Sequence, residues 1–220
     1  MPDRARWVCL DVGETLIDET RVWSVWADVL GVTRLTFMAA MGAAIARTGE
    51  FTDAFALVER PDYDAYRPQV RDAYAGFRSE DLYPDALSTL DALRDAGYRL
   101  AVVANQPAYR AAELRALGIQ PEVMAMSEEL GVHKPAPQFF GSCLELMGSP
   151  RPADVVYVGD RLDNDVLPST AAGMRAVWLR RGPWAFITLA QPPEGTLVVS
   201  SLVELVEQLT GWWDGEEGSA

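Results

Sequence analysis

A single lysine stands out among the basic residues of this 220-residue chain. Of its nineteen lysine and arginine residues, only Lys134 is a lysine. Because arginine is used everywhere else, the exception indicates a position where a guanidinium does not serve. An ammonium is a compact charge on a flexible stem, whereas a guanidinium is a wide planar fork. We therefore predict that Lys134 places one positive charge between carboxylates and a phosphate-sized group.

Polar residues also follow three apolar runs that have the pattern of buried strands. These groups are Asp11-Val12-Gly13-Glu14-Thr15, Ala104-Asn105 and Gly159-Asp160 with Asn164-Asp165. One aspartate after a strand is often only a helix cap, and acids also favour a solvated helix N-terminus. Together with Lys134-Pro135, however, the three groups predict a catalytic crevice, since binding sites in open parallel sheets lie at the carboxyl ends of the strands.

The elements that must position these residues alternate along the chain. Strand patterns occur at 7–10, 100–104, 123–126, 155–158, 175–179 and 196–199, and helical patterns at 107–117, 135–147, 163–172 and 202–209. Such alternation is typical of a parallel sheet with helices on both faces. The predicted fold class is therefore α/β, with a doubly wound parallel-sheet, Rossmann-like core.

The segment between residues 17 and 82 interrupts this alternation. It has no convincing strand pattern and instead predicts four helices, at 21–30, 35–47, 51–59 and 64–77. We expect a core of residues 1–17 and 83–210 and a helical cap domain inserted at 18–82. The acidic residues 211–220 have the composition of a disordered tail.

Charge and composition limit the possible partners. A net charge of −13 argues against general binding of nucleic acid or of an anionic membrane surface. An acidic protein can still bind a small phosphorylated metabolite if a metal supplies positive charge. The absence of an apolar leader or a bilayer-length apolar run favours a cytoplasmic location. Trp212 and Trp213 fit either core packing or a dimer contact, so a monomer and a homodimer both remain open.

The order of the polar groups resembles the haloacid dehalogenase superfamily with a helical cap, over about residues 6–180. Lys134-Pro135 and Gly159-Asp160 with Asn164-Asp165 are the most specific matches. The resemblance implies that Asp11 is a nucleophile that forms a covalent aspartyl intermediate. It also implies that Lys134 orients Asp11 and offsets charge, and that Asp165 supports Lys134.

The same resemblance implies a cofactor and substrate contacts. Mg²⁺ would be bound by Asp11, Asp160 and the backbone carbonyl of Gly13, as suits a hard cation that prefers oxygen ligands. The transferring group would be contacted by Thr15, Ala104, Asn105 and Lys134. The expected activity is Mg²⁺-dependent hydrolysis of a small phosphorylated metabolite through an aspartyl-phosphate.

Two positions depart from the pattern of the family. Gly13 stands where its phosphatases carry an aspartate that acts as general acid, and Ala104 stands where a hydroxyl is usual. Glu14 would point to the opposite face if the chain were extended there. We therefore expect slow turnover of alkyl phosphates, because general acid–base catalysis contributes about 10² to 10⁴ in rate. Gly13→Asp should raise that turnover unless tight space at residue 13 excludes the side chain.

These departures leave two alternatives. One is a dehalogenase-like hydrolase, which needs no general acid but also no metal ligand such as Asp160. The other is a catalytically weak binding or regulatory domain. The absence of lysine from residues 18–82 argues strongly against the phosphonate-cleaving relatives, which use a lysine in the cap.

Overall fold

A six-stranded parallel sheet forms the centre of the computed structural model, which describes residues 5–217. The strands are β1 (Trp7–Leu10), β2 (Arg99–Ala104), β3 (Val123–Met126), β4 (Val155–Gly159), β5 (Arg175–Leu179) and β6 (Leu197–Val199). Their order across the sheet is β3-β2-β1-β4-β5-β6, and every neighbouring pair is parallel. This arrangement confirms the doubly wound α/β core. The chain reverses its direction of progress between β1 and β4, where such sheets bind ligands.

Both faces of the sheet are covered by helices. They are α5 (Ala86–Asp95), α6 (Arg110–Ala116), α7 (Ser127–Leu130), α8 (Pro137–Leu146), α9 (Leu167–Ala171), α10 (Gly182–Ile187) and α11 (Leu202–Glu217). Alternate residues of β1 enter two separate cores. Val8 and Leu10 pack in the larger core, while Trp7 and Cys9 pack on the opposite face. Because β1 is buried on both faces, the residue that follows it is held on a rigid support.

Residues 18–82, which we call the helical insert, follow β1. They contain α1 (Thr20–Leu30), α2 (Arg34–Thr48), α3 (Asp53–Leu57) and α4 (Arg67–Tyr74). The fourth predicted helix is shorter than expected. A 3₁₀ turn precedes α4, and Pro68 lies in the first turn of α4. Proline is tolerated there because the N–H groups of a first helical turn have no partner within the helix.

The insert has an aromatic core of its own. Trp26, Phe37 and Phe55 are buried there, whereas Trp23 is only partly buried. Within residues 5–217 no single helix is long and apolar enough to cross a membrane. The pair of α1 and α2 meets the length and composition criteria together, with a bend of 112° between the two helices.

The C-terminal end differs from the prediction. Residues 211–220 were expected to be a disordered tail, but α11 extends to Glu217. Trp213 is completely buried and stacks on Tyr98, with 5.7 Å between ring centroids. The gain from burying a large aromatic ring exceeds the tendency of the acidic composition to stay solvated. Trp213 thus packs on the core, and residues 218–220 lie outside the described part of the chain.

Candidate active site

Asp11 lies directly after β1, at the carboxyl edge of the sheet. Its backbone N–H donates to the carbonyl oxygen of Val158 at 2.9 Å, which continues the pairing with β4. The chain then turns tightly, because Leu16 and Ile17 both donate to the Val12 carbonyl at 2.9 Å. The Asp11 side chain is 12% exposed, so its carboxylate is accessible but largely desolvated.

Lys134 places its ammonium between two carboxylates. Its Nζ is 2.8 Å from Asp11 Oδ1 and 2.6 Å from Asp165 Oδ1, and its side chain is inaccessible to solvent. Burial alone would lower the pKa of Lys134, but the charges of Asp11 and Asp165 outweigh it and raise the pKa above its ordinary value. Lys134 therefore remains charged at physiological pH, between the two carboxylates.

Asn105 holds the backbone of Lys134. Its side-chain Oδ1 accepts from the Lys134 N–H at 2.7 Å, and its Nδ2 donates to the Lys134 carbonyl at 3.0 Å. These two bonds join the loop after β2 to the loop that carries Lys134. The Asn105 side chain thus positions Lys134, and it also lines the cleft described below.

Asp165 is fixed in a π-helical turn over Leu162–Val166 that precedes α9. The sequence predicted a regular helix from 163, but Asp165 turns inward, where its Oδ2 accepts from the Arg161 N–H at 3.0 Å. Such turns are frequent at functional sites. Gly159 permits this approach, because a Cβ at residue 159 would lie 2.4 Å from the Asp165 Cγ.

Asp160 completes a buried acidic cluster. One carboxylate oxygen each from Asp11, Asp160 and Asp165 lie within 4.8 Å of one another. Asp160 is 3% exposed, and its Oδ2 is buried without a hydrogen-bond partner. Burial, with repulsion from Asp165 and Asp11, raises the pKa of Asp160. Three carboxylates against one ammonium leave uncompensated negative charge, which a divalent cation would neutralise.

An open cleft of about 380 Å³ lies above this cluster, between the sheet and the helical insert. Its core side includes Asp11, Gly13, Glu14, Asn105, Gln106, Arg110, Lys134, Asp160, Arg161, Asn164 and Trp184. Its insert side includes Glu19, Val22, Trp23, Phe51, Arg67, Tyr74 and Phe77. The cleft therefore joins the predicted chemical groups to aromatic and basic side chains that can contact the rest of a substrate.

Several of these lining residues were missed by the sequence analysis. Arg110 is 9% exposed and its Nε has no hydrogen-bond partner, while Trp184 is buried with its Nε1 likewise unpaired. Trp184 lies in α10, which was not predicted, and contacts Phe51 of the insert with 5.9 Å between ring centroids. The motif Gly182-Pro183 followed by apolar residues could have indicated this helix, since proline is favoured in a first turn.

Two of the predicted substrate contacts, Thr15 and Ala104, lie apart from the cleft. Thr15 is completely buried, does not line the cleft, and has a hydroxyl with no hydrogen-bond partner. Ala104 is also buried and absent from the lining, so only its backbone can face the site. His133 is exposed on the loop before Lys134 and does not line the cleft.

Glu14 and Glu19 are joined near Gly13, because the Glu19 backbone N–H donates to Glu14 Oε1 at 3.0 Å. Glu14 has a φ of 49°, so the chain is not extended at this residue. Its carboxylate accepts from the Tyr83 hydroxyl at 2.6 Å. Burial raises the pKa of Glu14. Partial burial, with the charges of Glu14 and Asp11, raises the pKa of Glu19 to about 8.

The space beside Gly13 is filled. A Cβ at residue 13 would lie 2.7 Å from Oε1 of Glu19, so an aspartate side chain cannot enter unless Glu19 moves. The gain expected from Gly13→Asp required free space at residue 13, and the carboxyl group of Glu19 limits that space.

Known proteins resemble this chain in sequence and in fold. The family model of haloacid dehalogenase-like hydrolases matches residues 5–173. A glyceraldehyde 3-phosphate phosphatase from Methanopyrus kandleri is 41% identical over 105 residues, which are 46% of this chain and 45% of that protein. The chain thus spans about half the length of the curated relatives it matches.

Solved structures resemble nearly the whole chain. A phosphatase of the same superfamily from Thermococcus onnurineus has a TM-score of 0.60 and 25% identity, covering 94% of this chain and 98% of that one. The putative hydrolase YfnB from Bacillus subtilis, crystallised with magnesium, has a TM-score of 0.71 at 18% identity, covering 94% and 99%. The second likeness is evidence for the fold alone.

Proposed function

The chain belongs to the haloacid dehalogenase-like hydrolases, and from that membership we propose that it is a phosphatase acting on a small phosphorylated metabolite. One observation carries the proposal. A buried ammonium lies between two carboxylates, 2.8 Å from Asp11 and 2.6 Å from Asp165, beneath an open cleft. Of the carboxylates in the cluster, Asp11 is both paired with Lys134 and accessible from the cleft, as a nucleophile must be.

In this proposal the reaction has two steps. An oxygen of Asp11 attacks the phosphorus of the substrate and displaces the leaving group, and water then hydrolyses the aspartyl-phosphate. Lys134 remains protonated throughout and offsets the charge that develops on the transferring group. Asp165 holds the ammonium from the side away from the cleft, so Lys134 stays beside Asp11 during both steps.

The acidic cluster fits a bound Mg²⁺. Asp160 has a buried carboxylate oxygen with no partner, and oxygen ligands are those that this hard cation prefers. Asp11 and Asp160 would hold the ion together with the Gly13 carbonyl. When bound, Mg²⁺ would reduce the repulsion between a carboxylate nucleophile and an anionic phosphoryl group.

The cleft indicates the substrate class. Its volume of about 380 Å³ suits a small molecule, and Arg67 and Arg110 offer positive charge among aromatic residues. Relatives that match half of the chain are named as phosphatases of glyceraldehyde 3-phosphate and of phosphoserine. A small phosphorylated metabolite is consistent with both observations.

A panel of phosphorylated metabolites, assayed for phosphate release with Mg²⁺ and with EDTA, tests the proposal. We expect release that requires Mg²⁺ and is abolished by Asp11→Asn. In parallel, 2-haloacids are assayed for halide release. Metal-independent halide release would favour a dehalogenase-like hydrolase instead. Release of neither product by the folded protein would favour a binding or regulatory domain.

A further inference from the structure

The carboxyl group of Glu19 occupies the place where a side chain at residue 13 would begin. An ideal Cβ built on Gly13 would lie 2.7 Å from Glu19 Oε1 and 3.0 Å from its Cδ. Both residues line the cleft, and Gly13 follows Asp11 by two positions. A carboxyl group from the start of the helical insert therefore lies beside Gly13, in the cleft that also contains Asp11.

The loop after Asp11 brings Glu19 to this position. Glu14 adopts a positive φ, its N–H donates to the Ile17 carbonyl at 2.8 Å, and Gly13 pairs with Ile17. The chain thus reverses, and Glu19 returns to the side of Gly13. Residue 13 has no Cβ, which leaves room for the carboxyl group of Glu19.

Two hydrogen bonds orient Glu19. Its backbone N–H donates to Glu14 Oε1 at 3.0 Å, and its Oε2 accepts from the indole N–H of Trp23 at 3.3 Å. With Oε2 held by Trp23, Oε1 is the oxygen directed at Gly13. Glu14 is not available for this role, because its carboxylate also accepts from the Tyr83 hydroxyl and lies against Gly182.

We propose that Glu19 is the general acid and base of the phosphatase reaction, in place of an acid at residue 13. In the first step, the proton of its carboxyl group passes to the bridging oxygen while the bond from phosphorus to that oxygen breaks and the bond to Asp11 forms. In the second step, the Glu19 carboxylate takes a proton from the water whose oxygen attacks phosphorus. The bond from phosphorus to Asp11 then breaks, and hydrogen phosphate leaves.

This inference rests on the proposed phosphatase function, and leaving groups of graded acidity separate the two. An aryl phosphate releases a weakly basic phenolate that needs little protonation, whereas an alkyl phosphate needs a proton donor. We expect native protein with Mg²⁺ to hydrolyse both. Glu19→Gln should lower kcat/KM for an alkyl phosphate by about 10² or more. The aryl phosphate used for comparison is nitrophenyl phosphate, and its kcat/KM should fall by far less.

Loss of the base should also appear before the steady state. Because Glu19→Gln still forms the aspartyl-phosphate from an aryl ester but activates water poorly, we expect a burst of nitrophenol with one equivalent per enzyme. Glu50→Gln, at an exposed glutamate of the insert, is the matched control and should behave as native protein. Thermal melts establish that each variant is folded.

Moving the carboxyl group provides a rescue. Gly13→Asp alone should not accelerate turnover of the alkyl ester, because its side chain meets the carboxyl group of Glu19. Glu19→Ala with Gly13→Asp should recover turnover of the alkyl ester relative to Glu19→Ala.

Two results would overturn the assignment of Glu19: an alkyl-ester kcat/KM within threefold of native in Glu19→Gln, or an equal loss for both esters. Native protein that hydrolyses neither ester would instead overturn the proposed function itself.

Discussion

At the scale of single residues, the site depends on a compact positive charge in a closed space. The Lys134 side chain is inaccessible, and its Nζ contacts Asp11 and Asp165 at hydrogen-bond distance. An arginine fork is wider and would have to displace one of these carboxylates.

The first prediction follows from that space. Lys134→Arg should lower kcat/KM by at least about 10², which is the effect of removing one preorganised charge or donor. It should also lower the melting temperature, since overpacking a buried site is destabilising. Steady-state kinetics and thermal unfolding measure both. Arg99→Lys, at an exposed pair on the other end of β2, is the control and should change neither. An active Lys134→Arg protein would contradict the role of the compact ammonium.

The second prediction concerns Asp160. Its charge is buried near two other carboxylates, so Asp160→Asn should relieve repulsion and stabilise the metal-free protein by about 1 kcal/mol, or about 3 °C in melting temperature. The variant should also lose the stabilisation that Mg²⁺ gives, which for native protein reaches about 2.7 kcal/mol at a concentration 100 times the dissociation constant.

Thermal melts with and without Mg²⁺ check this pair of effects. Asp163→Asn is the matched control, because Asp163 is an exposed acid of the same turn that pairs with Arg161. If Asp160→Asn and native protein gain equal stability from Mg²⁺, Asp160 is not a metal ligand.

At the scale of elements, one arginine ties the first helix of the insert to the segment that returns to the core. Arg21 of α1 makes two bonds to Asp81, at 2.6 and 2.5 Å, and donates to the carbonyls of Tyr74 and Gly76. Its guanidinium also lies 3.8 Å from the centre of the Tyr74 ring. These contacts close the base of the insert.

The third prediction tests this closure. Arg21→Ala should destabilise the protein by about 2 kcal/mol, because it leaves the Asp81 carboxylate buried without its main partner. Arg34→Ala breaks an exposed pair with Asp28, which solvent screens, and should destabilise the protein far less than Arg21→Ala. Urea unfolding measures both variants, and equal losses would show that Arg21 makes only a surface contact.

The same pair predicts a pH dependence. Burial alone would raise the pKa of Asp81, but hydrogen bonds from Arg21 and from the Arg78 N–H lower it below its ordinary value. The stabilisation is therefore complete above the ordinary aspartate pKa of about 4 and is lost as pH falls through the lowered value. The stability difference between native protein and Asp81→Asn should narrow as the pH is lowered from about 6 to about 3. If the stability difference between native protein and Asp81→Asn stayed constant over this pH range, the ion pair of Arg21 with Asp81 would be excluded as the source of that stability difference.

At the scale of the whole molecule, the indole of Trp213 joins α11 to residues that lie just before β1 and β2. Trp213 is completely buried in α11 against Tyr98, and the guanidinium of Arg6, just before β1, lies 5.2 Å from its ring centre. The last helix is thus part of the larger core that supports β1.

The fourth prediction follows from this packing. Trp213→Ala should cost about 3 to 5 kcal/mol, the usual effect of truncating a buried aromatic residue. Trp212→Ala, at the partly buried neighbour, is the control and should cost clearly less. Chemical unfolding measures both, and similar losses would mean that α11 does not dock through Trp213.

The sequence alone determined the features that depend on local pattern. Short apolar runs identified all six strands of the sheet. Acidic residues directly after two of these runs identified Asp11 and Asp160 as candidate site residues. Lys134 was identified because it is the only lysine in the chain, a property of the composition that does not depend on the fold. The predicted ends of the helices were less accurate. A proline decides where α4 begins, and tertiary packing decides where α11 ends.

Only the tertiary structure decided which distant groups meet. Arg21 and Asp81 are 60 residues apart, and the burial of Trp213 depends on Tyr98 in another part of the chain. Gly13 shows the difference most clearly. In the sequence, the lack of a side chain at Gly13 indicated that the general acid was missing. The periodicity of a strand does not predict where a chain that reverses direction places its later side chains. In the folded protein the reversal at Glu14 returns Glu19 to that place, and a glycine is what leaves space for it.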